Sequence, residues 1–299
     1  MTTNNISNIF IPEYTGIFNI QHSLFCPTAM ANTAPKHKSP SSSAHPTAKA
    51  LFAAFSETSK NQQQPQQSAF IRKQSITLGW RSRHSQDAFY PITINGVELS
   101  IQQFQRGEIE DTYGTGATVW PASVVLCKYM ELHQHSVIQN KTILDLGAGT
   151  GITSLAAAIL GAASVTCTDG CEKVVELAQA NVDRIFTTTT ETPIHVCHYG
   201  WGDRSIQSTF NVILVADCVL PKLYPIAPLV AAIDELLDVD GVALLSYEHR
   251  YYPDYDPRTH FVDLAYERNL VVETILQDEH DPVYSVDDIE IWKVRRVST

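Results

Sequence analysis

The first regular pattern along the chain is an alternation. Tyr90-Pro-Ile-Thr-Ile-Asn95-Gly96-Val-Glu-Leu-Ser-Ile101 sets apolar against polar positions on either side of an Asn-Gly pair. Asn-Gly accepts the two positive-φ residues of a type I′ turn, so this segment predicts a β-hairpin. The period then changes. From Pro121 to about His133, Val124, Val125, Tyr129 and Leu132 fall near one helical face. Pro121 takes the first helical position, where its missing N–H is no loss.

From Lys141 onward the pattern is strand and helix in turn. Strands are predicted at Thr142–Leu146, Ser164–Thr168, Ile194–Tyr199, Phe210–Ala216, Gly241–Tyr247, Val271–Leu276 and Ile289–Val294. Helices are predicted at Ile152–Leu160, stopping at Gly161, and at Cys171–Phe186, Ile226–Leu237 and Arg258–Arg268. Such alternation implies an open, mostly parallel sheet covered on both faces: a doubly wound, Rossmann-like α/β fold, with the hairpin as an N-terminal extension.

Composition divides the chain. Residues 1–75 are rich in Ser, Thr, Asn, Gln, Ala and Pro, with low-complexity tracts at Ser39-Pro40-Ser41-Ser42-Ser43 and Asn61–Gln67. Such a segment buries too little apolar surface to offset its ordering entropy. It is expected to be disordered apart from a short helix at Lys49–Glu57, with one ordered domain over 89–299. The absence of Lys and Arg from the first 35 residues argues against an organelle transit peptide.

The net charge of the 299 residues is -11. Residues 1–74 hold six Lys or Arg and two acids, which leaves 15 basic and 30 acidic residues for 75–299. A phosphate backbone would be repelled, so no nucleic-acid partner is expected, whereas a basic protein would be attracted. No apolar stretch approaches the roughly 20 residues of a membrane helix. Cys26, Cys127, Cys167, Cys171, Cys197 and Cys218 form neither a disulfide framework nor a zinc pattern. Reduced thiols suit the cytoplasm, with the nucleus a further compartment. His133, His135, His195 and His198 do not share one element at ligand spacing, so no metal site is expected. There is no G-x-S-x-G elbow for covalent hydrolysis.

The chemistry concentrates in Ile143-Leu-Asp145-Leu-Gly147-Ala148-Gly149-Thr-Gly151, an apolar strand that delivers a carboxylate, a glycine loop and a helix start. Ligands of doubly wound sheets sit at the carboxyl ends of the strands. The spacing is G-x-G-x-G, unlike the G-x-G-x-x-G of pyrophosphate binding, and this excludes a nicotinamide-dependent oxidoreductase. Asp145 suits an ammonium group better than a phosphate, which points to a ligand with an amino acid end. Asp169 ends the next strand about twenty residues on, where an acid can bond both hydroxyls of a ribose. It would also serve as a cap for the helix after Gly170-Cys171.

This arrangement resembles the seven-stranded S-adenosyl-L-methionine (AdoMet) methyltransferases, and within them the family 16 protein-lysine methyltransferases that lack a SET domain. The resemblance spans about residues 89–296. It rests on Gly116-Ala-Thr-Val119-Trp120-Pro-Ala, Leu144–Gly151, Tyr199-Gly200-Trp201-Gly202 and Ala216-Asp217. It implies AdoMet held by Trp120, Asp145, Gly147, Ala148, Gly149, Asp169, Trp201 and Ala216. Trp201 would pack on the adenine, Trp120 would close over the methionine end, and the small Ala216 would let the ligand pass. Asp217 is the implied catalytic residue. The implied activity is N-methylation of lysine on a protein, by direct displacement and without a metal.

One departure stands out. The family motif is Asp-x-x-Tyr, and this chain reads Asp217-Cys218-Val219-Leu220. Tyr224, four residues on, can reach the site or pack elsewhere. Tyr247-Glu248-His249-Arg250, with Tyr251, Tyr252 and Tyr255, is placed to frame the substrate mouth. Two other readings stay open at this point: an AdoMet-binding interaction module without transfer activity, and a methyltransferase acting on a small molecule or nucleic acid.

Overall fold

The Asn-Gly turn forms as its sequence dictates. Asn95 and Gly96 take φ values of 48° and 75°, and they join β1 (Phe89–Ile94) to β2 (Val97–Gln102) in an antiparallel pair. The computed structural model describes residues 79–104, 114–186 and 192–297. The segment 1–75 and its expected helix at 49–57 lie outside them.

Seven further strands build one sheet: β3 (Thr142–Leu146), β4 (Ser164–Asp169), β5 (Ile194–His198), β6 (Phe210–Ala216), β7 (Leu237–Glu248), β8 (Leu270–Thr274) and β9 (Ile289–Arg296). Their order is β5-β4-β3-β6-β7-β9-β8. β3 pairs in parallel with both β4 and β6, and the strand order reverses there. β9 runs antiparallel to β7 and to β8. This is the doubly wound seven-stranded sheet expected, with one reversed strand near an edge.

Burial explains the strands. β3 and β6 are apolar on both faces, with Ile143, Leu144, Leu146, Val212, Ile213, Leu214 and Val215 all buried. The two faces hold separate cores. One packs the hairpin and the helices Pro121–Leu132 and Ile152–Ile159; the other packs the helices Ile226–Leu236 and Pro257–Glu267. Trp292 of β9 is fully buried and lies 4.8 Å from the Tyr247 ring and 5.3 Å from Phe261. Aromatic pairs of this kind add roughly 0.5–1.5 kcal/mol each beyond area burial, which anchors the reversed strand.

Predicted and observed elements differ mainly at their ends. β7 begins at Leu237, directly after the Ile226–Leu236 helix and ahead of the expected Gly241. Order also starts earlier than Phe89. A helical turn covers 79–83; Trp80 lies 5.3 Å from the Tyr284 ring, and Arg81 binds Glu248 and Asp288. An isolated Trp and Arg carry no periodic signal, so these contacts leave no trace in the pattern. Among the described residues no helix is long and apolar enough to cross a membrane.

Candidate active site

A cavity of about 610 Å³ opens at the carboxyl ends of β3, β4 and β6. Its wall includes Trp120, Gly147, Ala148, Gly149, Asp169, Trp201, Ala216 and Asp217. Of the residues assigned from the sequence to cofactor or catalysis, all but Asp145 therefore line one cavity.

The glycine loop is shaped by backbone conformation. Gly149 has φ of 57°, and a Cβ built there would stand 3.0 Å from the carbonyl oxygen of Gly116. Only glycine combines this left-handed conformation with so close an approach. The Gly149 N–H donates to Oδ2 of Asp169 (3.1 Å), and the Cys171 N–H donates to Oδ1 (3.0 Å). Asp169 thus clamps the loop and the chain just ahead of the next helix while lining the cavity; that helix, Glu172–Ile185, has Cys171 at its N-cap and no side-chain cap, so the capping role is not taken by Asp169. Burial pushes its carboxyl above the ordinary range, and the N–H groups of Cys171, Gly149 and Gly170 oppose this.

Asp145 departs from expectation. It is absent from the cavity wall and fully buried. Its Oδ2 accepts from the hydroxyls of Thr153 (2.5 Å) and Ser154 (2.7 Å), in the first turn of the Ile152–Ile159 helix. That turn packs against the Asp145 carboxylate and keeps it off the cavity wall. Burial raises it to about 6, against the hydroxyl bonds. In this structure it braces the loop through those two hydroxyls and stays off the cavity wall, with its Oδ1 buried and unpartnered.

Trp120 and Trp201 face the cavity through different supports. The Trp120 indole N–H donates to the carbonyl of Thr115 at 2.8 Å. Trp201 meets the Tyr224 ring edge-on at 5.9 Å. Tyr224 does reach the site: it lines the cavity, and its hydroxyl lies 2.6 Å from that of Thr115. The reason is an isolated turn between β6 and the next helix. The Tyr224 N–H donates to the Leu220 carbonyl at 2.8 Å, so the two side chains lie one turn apart and both face the cavity.

Asp217 follows β6 with φ of 57° and is 6% exposed. Arg250 grips it with both terminal nitrogens, Nη1 to Oδ1 at 2.7 Å and Nη2 to Oδ2 at 2.5 Å. Arg250 is not on the cavity wall. The sequence flagged its loop but missed the pairing. Its cause is register: Ala216 of β6 is opposite Ser246 of β7, so the residues that follow emerge side by side. Only strand order reveals that. Tyr247 belongs to the core beside Trp292, and Tyr251, Tyr252 and Tyr255 stay off the cavity wall. Among the described residues no group of His, Cys, Asp or Glu is arranged to hold a metal ion.

The site fits AdoMet. Pockets of about 300–1,000 Å³ suit ligands of its size. Asp169 supplies acceptors for hydroxyls, the two indoles supply flat apolar faces, and the glycine loop admits close backbone approach.

Comparison with known proteins gives the same answer. A family model described as lysine methyltransferase matches residues 97–267. Protein N-lysine methyltransferase METTL21A of Danio rerio is 34% identical over 175 residues, covering 57% of this chain and 75% of that protein. The METTL21A of Xenopus tropicalis is 34% identical over 208 residues, 62% of this chain and 94% of that protein. EEF1A lysine methyltransferase 3 of Xenopus tropicalis is 33% identical over 134 residues, 44% of this chain and 56% of that protein. With its sheet order, its glycine loop and this match over more than half its length, the chain belongs to the lysine methyltransferase family, whose cofactor is AdoMet.

Proposed function

We propose that this chain methylates the side-chain amine of a lysine in a basic segment of a protein substrate, in the cytoplasm. The observation that carries the reading is the meeting of Asp169, Trp120, Trp201 and Asp217 around one cavity. The surplus of acidic residues over 75–299 favours encounter with a basic partner. The cysteines among the described residues form no disulfide, which suits a reducing compartment.

Each residue has a task. Asp169 accepts bonds from the ribose hydroxyls, Trp201 packs on the adenine, and Trp120 closes the methionine end against water. AdoMet, when bound, supplies a methyl group on a positively charged sulfur. Lysine arrives as an ammonium, and with an ordinary lysine pKa of ~10.4, freeing its lone pair at pH 7 costs about 4.6 kcal/mol. An apolar channel lowers that cost by disfavouring the charged form. Leu220 and the ring of Tyr224 supply such a wall. Asp217 accepts a hydrogen bond from the amine and aims its lone pair, while water carries the proton away. Alignment of this kind, with no covalent intermediate on the protein, is the main catalytic contribution.

The test incubates the purified chain with radiolabelled AdoMet and a cell extract, then hydrolyses the labelled protein and separates its amino acids. Methylated lysine in a discrete band is expected. Label in arginine or histidine, or in no protein, overturns the assignment. Asp169→Ala is the control: calorimetric titration with AdoMet should show affinity falling roughly tenfold to a hundredfold, as for lost bonds to a charged acceptor.

A further inference from the structure

A naked carboxylate is a poor neighbour for an amine that must give up its proton. An opposite charge within about 4–6 Å favours the ammonium form and raises its pKa by about 1–3 units. If Asp217 met the acceptor alone it would bind lysine in the form that cannot react. The site's charges are arranged against that.

Arg250, which is not on the cavity wall, binds both oxygens of Asp217, which is. A carboxylate has about four lone-pair positions, so an oxygen gripped by a guanidinium still accepts another bond. The Glu248 N–H approaches only Oδ1, at 3.4 Å, which leaves Oδ2 with spare capacity. The surrounding charges are also paired. Glu248 lies 3.6 Å from Arg250 and 2.6 Å from Arg81, and Arg81 in turn binds Asp288 at 2.8 Å. Asp217, Arg250, Glu248 and Arg81 together sum to zero charge, and Asp288, bound to the outer side of this set through Arg81, adds one negative charge. Tyr252, from the loop after β7, faces Arg250, and Cys218, beside Asp217 on the cavity wall, faces Asp217. Burial works against the charge on Arg250, but bonding to Asp217 outweighs it and holds the guanidinium above its ordinary pKa.

We infer that Arg250 is a positioning residue that cancels the field of Asp217 while leaving it able to accept a hydrogen bond, so that the acceptor lysine is aimed without being held as an ammonium. The inference rests on the lysine reading above. It also gives Glu248 a role of opposite sign, because its charge partly offsets that of Arg250.

The test is a pH–rate profile of the full chain, reading transfer from radiolabelled AdoMet into lysine of extract proteins. In the parent the rate rises with pH as the acceptor loses its proton. Arg250→Gln leaves a net negative set, and its rising limb should move up by about one pH unit. At neutral pH that is about tenfold less transfer, with the parent's plateau recovered at high pH. Glu248→Gln should move the limb the other way. A loss of rate at every pH with the limb unmoved would show Arg250 to be structural. A limb unmoved or raised in Glu248→Gln would overturn the charge argument, and that variant decides the matter if Arg250→Gln fails to bind S-adenosylhomocysteine.

A second readout needs no turnover. n-Butylammonium is the lysine side chain without its backbone. With S-adenosylhomocysteine bound at pH 7, it should raise the melting temperature of Arg250→Gln more than that of the parent. Equal shifts, zero included, overturn the inference. If the parent labels no lysine, the functional reading fails while the butylammonium comparison still decides the role of Arg250.

Discussion

Asp145 and Asp217 are two buried carboxylates, far apart in sequence, whose partners make them opposites. Asp145 is held by neutral hydroxyls and sits at about 6, against an ordinary 3.8. A raised carboxyl binds protons more readily in the folded chain than in the unfolded one. Its contribution to stability is therefore greatest at low pH and falls as pH rises through this window. The amide that replaces it in Asp145→Asn does not titrate, and its oxygen accepts the same two hydroxyl bonds without charge. Urea unfolding of Asp145→Asn and parent should show the variant gaining on the parent between 3.8 and about 6, with a constant difference above. A difference that does not change with pH would mean that the carboxyl is not titrating there. The strand that ends in an acid before a glycine loop was plain in the sequence. The direction of that acid was not, because it depends on which strand face the Ile152–Ile159 helix covers, and a strand buried on both faces has no polar side to mark it.

At the scale of elements, the glycine loop and the segment 114–118 act as one unit. Gly149 touches Gly116, Thr115 receives the Trp120 indole N–H, and the Tyr224 hydroxyl pins Thr115 from the far side. Gly149→Ala adds a methyl 3.0 Å from the Gly116 oxygen at a φ of 57°. The conformation alone costs about 1–2 kcal/mol in a non-glycine residue, and the segment must shift to make room. The expected result is a lower melting temperature together with weaker AdoMet binding by calorimetry. Loss of stability with unchanged affinity would separate the loop from the cavity's far wall. The elements themselves were legible because local periodicity encodes them: the hairpin, the glycine-loop strand and β6 appear where their patterns put them. What joins them was less so. Thr115 and Arg250 act through contacts that span 109 and 33 residues, and such distances leave no periodic mark. Tyr224 lay between. Its four-residue offset from Leu220 was visible, but only the turn closed by the Tyr224 N–H to Leu220 carbonyl bond decides that both face the cavity.

For the whole molecule, the question is where the working domain begins. Composition sets the boundary near residue 75, and the match to the family starts at 97. The contacts draw a different line. Trp80 packs on Tyr284, and Arg81 ties the turn at 79–83 to Asp288 and to Glu248, a residue of the charge set around Asp217. A deletion of residues 1–75 keeps all of these, so it should leave cooperative melting and AdoMet binding unchanged. A deletion of residues 1–88 spares the whole family match yet removes both Trp80 and Arg81. It strips the aromatic contact from Tyr284 and leaves Glu248, 20% exposed at its side chain, without its nearest cation. Removing one partner of such a pair leaves a charge poorly compensated. The shorter chain should therefore melt at lower temperature, and its transfer rate should fall at neutral pH because Glu248 then draws harder on Arg250 and loosens its grip on Asp217. The single substitution Arg81→Gln within the 1–75 deletion separates the two effects. It should reproduce the loss of rate with less of the loss of stability. If both deletions behave alike, the turn at 79–83 contributes nothing, and the domain begins at the hairpin.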